Sequence, residues 1–141
     1  MLYSYTYALC VTEWPTKKGV ALNPQRWVSL LRTRQMVEET FQDIKDGKDV
    51  DACFHVSGPI FLSMKSPYTN VNIRQWFMKD GVKRPTKKGV VLRCAGWQRL
   101  FGLETKMETC LPVLKGVLPC YFSADHANQQ GALDCHECNP F

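Results

Sequence analysis

Large apolar residues alternate with smaller or polar ones at the start of the chain: Tyr3, Tyr5, Tyr7, Leu9 and Val11 are separated by Ser4, Thr6, Ala8 and Cys10. A period of two predicts a half-buried strand. Residues 52–56 and 60–64 read as two more strands joined by Ser57-Gly58-Pro59, and residues 71–78 add a further β-like run. Between residues 24 and 47 the period lengthens. Asn23-Pro24 is a good helix start, Trp27, Leu30, Leu31, Val37, Phe41 and Ile44 fall on one helical stripe, and Gly47 suits the end. A second helix is expected from Cys94-Ala95, with Trp97, Leu100, Phe101, Leu103, Met107 and Leu111 apolar and Pro112 stopping it. At that spacing Trp27 and Trp97 read as core anchors ahead of ligand contacts.

The pattern repeats. Pro15-Thr16-Lys17-Lys18-Gly19-Val20 recurs as Pro85-Thr86-Lys87-Lys88-Gly89-Val90, an offset of 70, and the match continues as Leu22/Leu92, Trp27/Trp97 and Leu30/Leu100. Self-similarity of this length reads as an internal duplication. In each copy Pro-Thr-Lys-Lys-Gly is expected to form a hairpin turn, with Gly-Val-Ala-Leu or Gly-Val-Val-Leu returning as a short strand. The expected organisation is a partial β-β-helix unit over residues 1–50, a full unit of four strands and a helix over 51–116, and a Cys/His-containing tail over 117–141. The first copy lacks the leading pair of strands. The fold class is α+β.

Composition permits a packed core: 45% of the 141 residues are hydrophobic and 22% charged. Net charge is +5, unevenly placed. Residues 38–51 hold six acids (Glu38, Glu39, Asp43, Asp46, Asp49, Asp51) against Lys45 and Lys48. Residues 65–99 hold nine basic residues against Asp80 alone, which points to an anionic partner. No stretch reaches the ~18–20 apolar residues of a membrane helix, and the first residues lack the charged and apolar regions of a signal peptide. Seven scattered cysteines do not read as a disulfide framework, so a reducing compartment, nuclear or cytoplasmic, is expected.

Binding a single strand needs cations that follow phosphates and flat rings on which bases stack. The second copy supplies both, with Lys65, Arg74, Lys79, Lys83, Arg84, Lys87 and Lys88 interleaved with Phe61, Tyr68, Trp76 and Phe77. Tyr5 or Tyr7 could stack beside Lys17 and Lys18 in the first. In the tail, Cys135 and Cys138 form a Cys-x-x-Cys pair, with Cys120 and His126 upstream as further ligands for a structural zinc; a reduced tail without metal is the competing reading. Catalytic signatures are sparse. There is no phosphate-binding Gly loop and no His-Glu-x-x-His, and the acidic run reads as a solvated helix face, so no enzyme is expected.

A four-strand antiparallel sheet followed by one long helix, with a basic Lys-Gly motif and a Trp early in the helix, resembles the transcriptional coactivator family called positive cofactor four, or p15. The resemblance rests on Val71-Asn-Ile-Arg-Gln-Trp-Phe-Met78, Lys87-Lys88-Gly89-Val90-Val91-Leu92 and Trp97-Gln-Arg-Leu100, and in the first copy on residues 17–27. It implies curved sheets that form grooves for single-stranded DNA, with units paired through their helices. Two units in one chain then suggest a built-in pseudo-dimer, or a homodimer through the helices. Lys17, Lys18, Lys87 and Lys88, Arg74, and the Lys65/Tyr68 loop match positions lining such a groove; Trp76, Lys83 and Arg84 join them from the residue pattern. The expected function is single-stranded DNA binding with little sequence preference (RNA is an alternative), in replication, recombination or transcription, with no cofactor required and transcription or replication proteins as further partners. The competing class is a protein-interaction adaptor on the same fold, and a zinc-dependent nucleic-acid enzyme is a weaker third.

Overall fold

The computed structural model describes residues 19–122, 126 and 129–141. The first Pro-Thr-Lys-Lys motif, with Lys17 and Lys18, and the strand expected over residues 3–11 lie outside them. Helices α1 (Pro24–Leu31) and α2 (Arg34–Lys45) come first. Strands β1 (Asp51–Ser57), β2 (Ile60–Lys65), β3 (Asn70–Lys79) and β4 (Val82–Arg93) follow. Then come α3 (Cys94–Gly102), α4 (Glu104–Cys110), short 3-10 turns at Pro112–Gly116 and Cys120–Phe122, and α5 (Gln129–Asp134).

Helix α1 starts as its sequence dictates. Asn23 is extended (φ −77°, ψ 171°), its Oδ1 accepts the Arg26 amide at 2.8 Å, and Pro24 occupies the first turn, where no amide is needed. Asn23→Ala is therefore expected to cost about 1 kcal/mol, read as a drop of a few degrees in thermal midpoint.

The single long helix expected in each copy is instead two. At Thr33 the amide bonds back to the Leu30 carbonyl at 3.0 Å and its hydroxyl takes the same oxygen at 2.6 Å, tightening the turn before α2. At Leu103 the amide bonds to Leu100 O at 3.2 Å, and α4 follows. The apolar stripe runs through the first break, because a 3-10 step shifts the faces only slightly; beyond the second, Leu103 is exposed and Met107 and Leu111 are only partly buried. Trp27, Leu30, Val37, Phe41 and Ile44 are all buried, as are Trp97, Leu100 and Phe101.

The four strands form one curved antiparallel sheet in the order β1-β2-β3-β4. Strands β3 and β4 join through the two-residue turn Asp80-Gly81, with φ +52° and +74°, the left-handed pair of a type I′ hairpin. The expectation that Pro85-Thr86-Lys87-Lys88-Gly89 makes this turn is corrected. That motif lies inside β4, an edge strand, where proline's missing amide leaves no ladder bond unmade.

The motif's effect is a bulge. Arg74 pairs with Gly89 while Trp76 pairs with Pro85, so Gln75 alone spans Thr86, Lys87 and Lys88. Thr86 Oγ1 donates to Gln75 O at 2.7 Å and accepts the Lys88 amide at 3.1 Å; Arg74 Nη1 donates to Thr86 O at 2.6 Å. In the first copy, residues 19–22 form no strand among the described residues, yet Val20 and Leu22 are buried and flank exposed Ala21.

One core holds the molecule together. Ile60, Leu62 and Met64 of β2 and Val71 and Ile73 of β3 point towards the helices, with Trp27, Phe41 and Trp97 the largest side chains against them. Helices α2 and α3 run antiparallel: Arg34 lies 4.9 Å from the Phe101 ring centre at one end, and Lys45 Nζ lies 3.7 Å from Cys94 Sγ at the other.

Candidate nucleic-acid interface

Strand alternation sends half of each strand away from the helices. Cys53 and His55, Phe61 and Ser63, Asn72, Arg74 and Trp76, and Lys83, Gly89 and Val91 therefore share the second face of the sheet. No helix covers this face among the described residues. Lys83 is its centre: Nζ sits 4.0 Å over the Phe61 ring and 5.0 Å from that of Trp76, with Cys53 Sγ at 3.6 Å. His55 lies against Phe61, with ring centres 4.8 Å apart.

The bulge in edge strand β4 leaves Lys87 and Lys88 exposed to solvent. Arg74 lies flat across Gly89, where an added Cβ would come within 2.7 Å of its Cζ. Glycine is required there because the guanidinium rests on bare backbone. Lys65 is exposed at the end of β2, and Tyr68, 64% exposed, follows a cis Ser66-Pro67 bond.

Lys65, Arg74, Trp76 and Lys83 are thus brought to one side, with Lys87 and Lys88 exposed in the adjoining bulge. Arg84 is not on that side. The pleat places it with its partner Phe77 on the reverse of the hairpin, both exposed. Sequence reasoning missed His55 and Arg93, although the alternation through β1 and β4 was the signal that would have found them. Arg93 shares a shallow hollow with Tyr68 and Asn70.

A second constellation lies in the tail. Cys120, His126, Cys135 and Cys138 converge so that their four ligand atoms all lie within 4.8 Å of one another. Cys120 Sγ is 3.7 Å from Cys135 Sγ and 3.5 Å from Cys138 Sγ, and His126 Nε2 is 3.3 Å from Cys138 Sγ. Burial, then hydrogen bonds with Cys138 and Cys135, push the Cys120 thiol up to about 12. Burial also raises Cys135, but the amides of Cys138 and Glu137 outweigh it and bring that thiol down to about 7.

Between the two cysteines, Glu137 turns back onto the body of the fold. It meets Arg26 through Oε1 at 2.7 Å and Oε2 at 3.1 Å, and accepts the Ser57 hydroxyl at 2.7 Å. The Arg26 guanidinium, against a smaller opposing effect of burial, holds its carboxyl below the usual carboxylate range.

Helices on one face, and on the other a helix-free face of cations and rings on which Phe141 leans against Phe61, define a one-sided α+β sheet module. Residues 68–102, which span β3, β4 and α3, match the family model of the Transcriptional Coactivator p15 (PC4). That segment contains the strand, lysine motif and tryptophan on which the resemblance rested. No curated protein and no solved structure matches the chain. Among the described residues no helix is long and apolar enough to cross a membrane.

Proposed function

We propose that the open face of the sheet binds single-stranded nucleic acid with little sequence preference, acting without catalysis in transcription or in another process that exposes single strands. The observation that carries this reading is the grouping of cations and rings on the helix-free face, where Lys83 lies between Trp76 and Phe61 (the latter also met by Phe141), Arg74 shares the face, and exposed Lys87 and Lys88 stand in the adjoining bulge. Rings receive bases and cations receive phosphates, so both halves of a single strand find partners. The p15 match over residues 68–102 supports a coactivator and DNA-binding role, and with it a nuclear setting.

The duplication belongs to the same reading. Asn23 and Arg93 precede their helices with nearly equal angles (φ −77°, ψ 171° and φ −74°, ψ 167°), and the breaks fall at Thr33 and Leu103, again 70 apart. Two copies of one β-helix unit packed through antiparallel helices would form a pseudo-dimer within a single chain. In sequence the first copy's Lys17 and Lys18 are the counterparts of Lys87 and Lys88.

Fluorescence anisotropy of labelled oligo-dT and of a matched duplex, at low and physiological salt, tests the reading. Trp76→Ala is expected to weaken oligo-dT binding by about 1–3 kcal/mol, the loss of one stacked base. Equal affinity for duplex would reduce the face to a general basic patch. No binding to either would favour a protein-interaction adaptor, for which exposed Val113, Leu118, Tyr121 and Phe122 beyond α4 offer an apolar surface.

A further inference from the structure

We infer that Cys120, His126, Cys135 and Cys138 hold one Zn²⁺, and that the loaded centre is a clasp fastening the end of the chain to α1 and the β1–β2 turn. The donor set is three thiols and one imidazole, the chemistry zinc prefers in closed structural sites. Its spacing also fits. A tetrahedron with Zn–S bonds of about 2.3 Å has sulfur–sulfur edges of about 3.8 Å, and the two found here are 3.7 and 3.5 Å.

The thiols touch mainly one another and an imidazole, and weak S–H donors gain little from converging, whereas a cation at their centre binds them all. Asn139, next to Cys138, bonds to Cys135 O at 2.8 Å through its amide, and to Ala132 O at 2.6 Å through its side chain.

What the centre would hold in place is visible in the contacts of Glu137, which lies between Cys135 and Cys138 in the chain. Glu137 reaches Arg26 on α1 and Ser57 on β1, and its carbonyl accepts the Gly58 amide at 2.7 Å. Gly58 has φ +55°, and a Cβ there would come within 2.6 Å of Arg26 and 2.9 Å of Glu137. The turn is therefore shaped to receive the knuckle. Beyond Cys138 the chain carries Phe141 onto Phe61, with ring centres 6.1 Å apart and planes 12° from parallel. A short tail with little apolar burial of its own needs such a fastening, since metal binding is folding free energy for segments too small to pack alone.

Elemental analysis of the full chain, purified under reducing conditions and dialysed against zinc buffer, is expected to find one zinc per chain. Replacing it with Co²⁺ should give the ligand-field bands of a tetrahedral site and a thiolate-to-cobalt charge-transfer band. Cys138→Ser and Cys135→Ser should each lower zinc content at least tenfold, while Cys110→Ser, exposed and outside the cluster, should leave it at one.

Hydrogen exchange reads the clasp directly: chelation should speed exchange of the Gly58 amide at least tenfold while the β2–β3 ladder keeps its protection. A metal-free native chain in excess zinc would overturn the site, as would a Cys120–Cys138 disulfide in its place. Bound zinc whose removal leaves Gly58 exchange unchanged would overturn the clasp. If the serine variants fail to fold, the cobalt spectrum of the native chain decides alone. The outcome is independent of nucleic-acid binding.

Discussion

Trp97→Ala is expected to lower stability by about 3–5 kcal/mol, the range for deleting a large aromatic from a packed core. Trp97 is completely buried and meets Phe101 edge-on at 4.6 Å. Alanine would remove that contact and leave a cavity between α3 and the sheet. Against a total stability of roughly 5–15 kcal/mol for a domain, the loss would leave a measurable unfolded fraction at 37 °C.

Urea unfolding with far-UV circular dichroism measures the change. Trp97→Phe provides the contrast. The indole Nε1 is buried with no hydrogen-bond partner, and an unmet buried donor costs about 1–3 kcal/mol. Phenylalanine removes that donor and keeps most of the ring volume, so it should cost less than half of what alanine does. Trp27, its counterpart 70 residues earlier and also buried, is expected to lose a comparable amount on substitution by alanine. Unchanged stability in the alanine variants would mean these tryptophans serve a ligand and not the core.

The Lys87→Ala/Lys88→Ala pair should act on binding and leave the fold alone. Both side chains are exposed on the β4 bulge, and the bulge is held by Thr86 and Arg74 without them. For a single strand each phosphate neutralised adds about 0.7 to the slope of log affinity against log salt, so two lysines account for about 1.4. At about 0.1 M salt that is roughly 25-fold in affinity, fading towards none near 1 M.

Anisotropy titrations of oligo-dT across a salt series would show a shallower line for the double variant, meeting the parent at high salt. A parallel line would mean that neither lysine touches phosphate. Gly89→Val is a sharper companion. A side chain there displaces Arg74 from the backbone and from Thr86 O, so it should weaken binding with both lysines still present.

Much of this was legible in the residues alone. The core stripe of Trp27, Leu30, Val37, Phe41 and Ile44, the strands at 52–56, 60–64 and 71–78, and the cap at Asn23 follow from local periodicity and local hydrogen bonding, which need no knowledge of the rest of the chain. The likeness of residues 68–102 to the p15 coactivators was equally local, carried by a strand, a lysine motif and a tryptophan. The hairpin was legible too and was misplaced. Asp80-Gly81 carries the turn signal that forms the hairpin, whereas Pro85-Thr86-Lys87-Lys88-Gly89 forms a bulge within β4.

Tertiary structure decided what depends on neighbours distant in sequence. Pro85 is harmless in β4 because that strand lies at the sheet edge, a fact about strand order that no window of residues contains. Arg84 and Lys83 are adjacent and equally basic, yet the pleat and the register with β3 send them to opposite faces, and only Lys83 meets Phe61 and Trp76. The sequence supplied Cys120, His126, Cys135 and Cys138 as four donors with spacings of no fixed pattern. Only the folded tail, anchored by Glu137 on Arg26 and Ser57, brings them within reach of one ion, because their convergence is set by contacts between segments that lie about 80 to 110 residues apart along the chain.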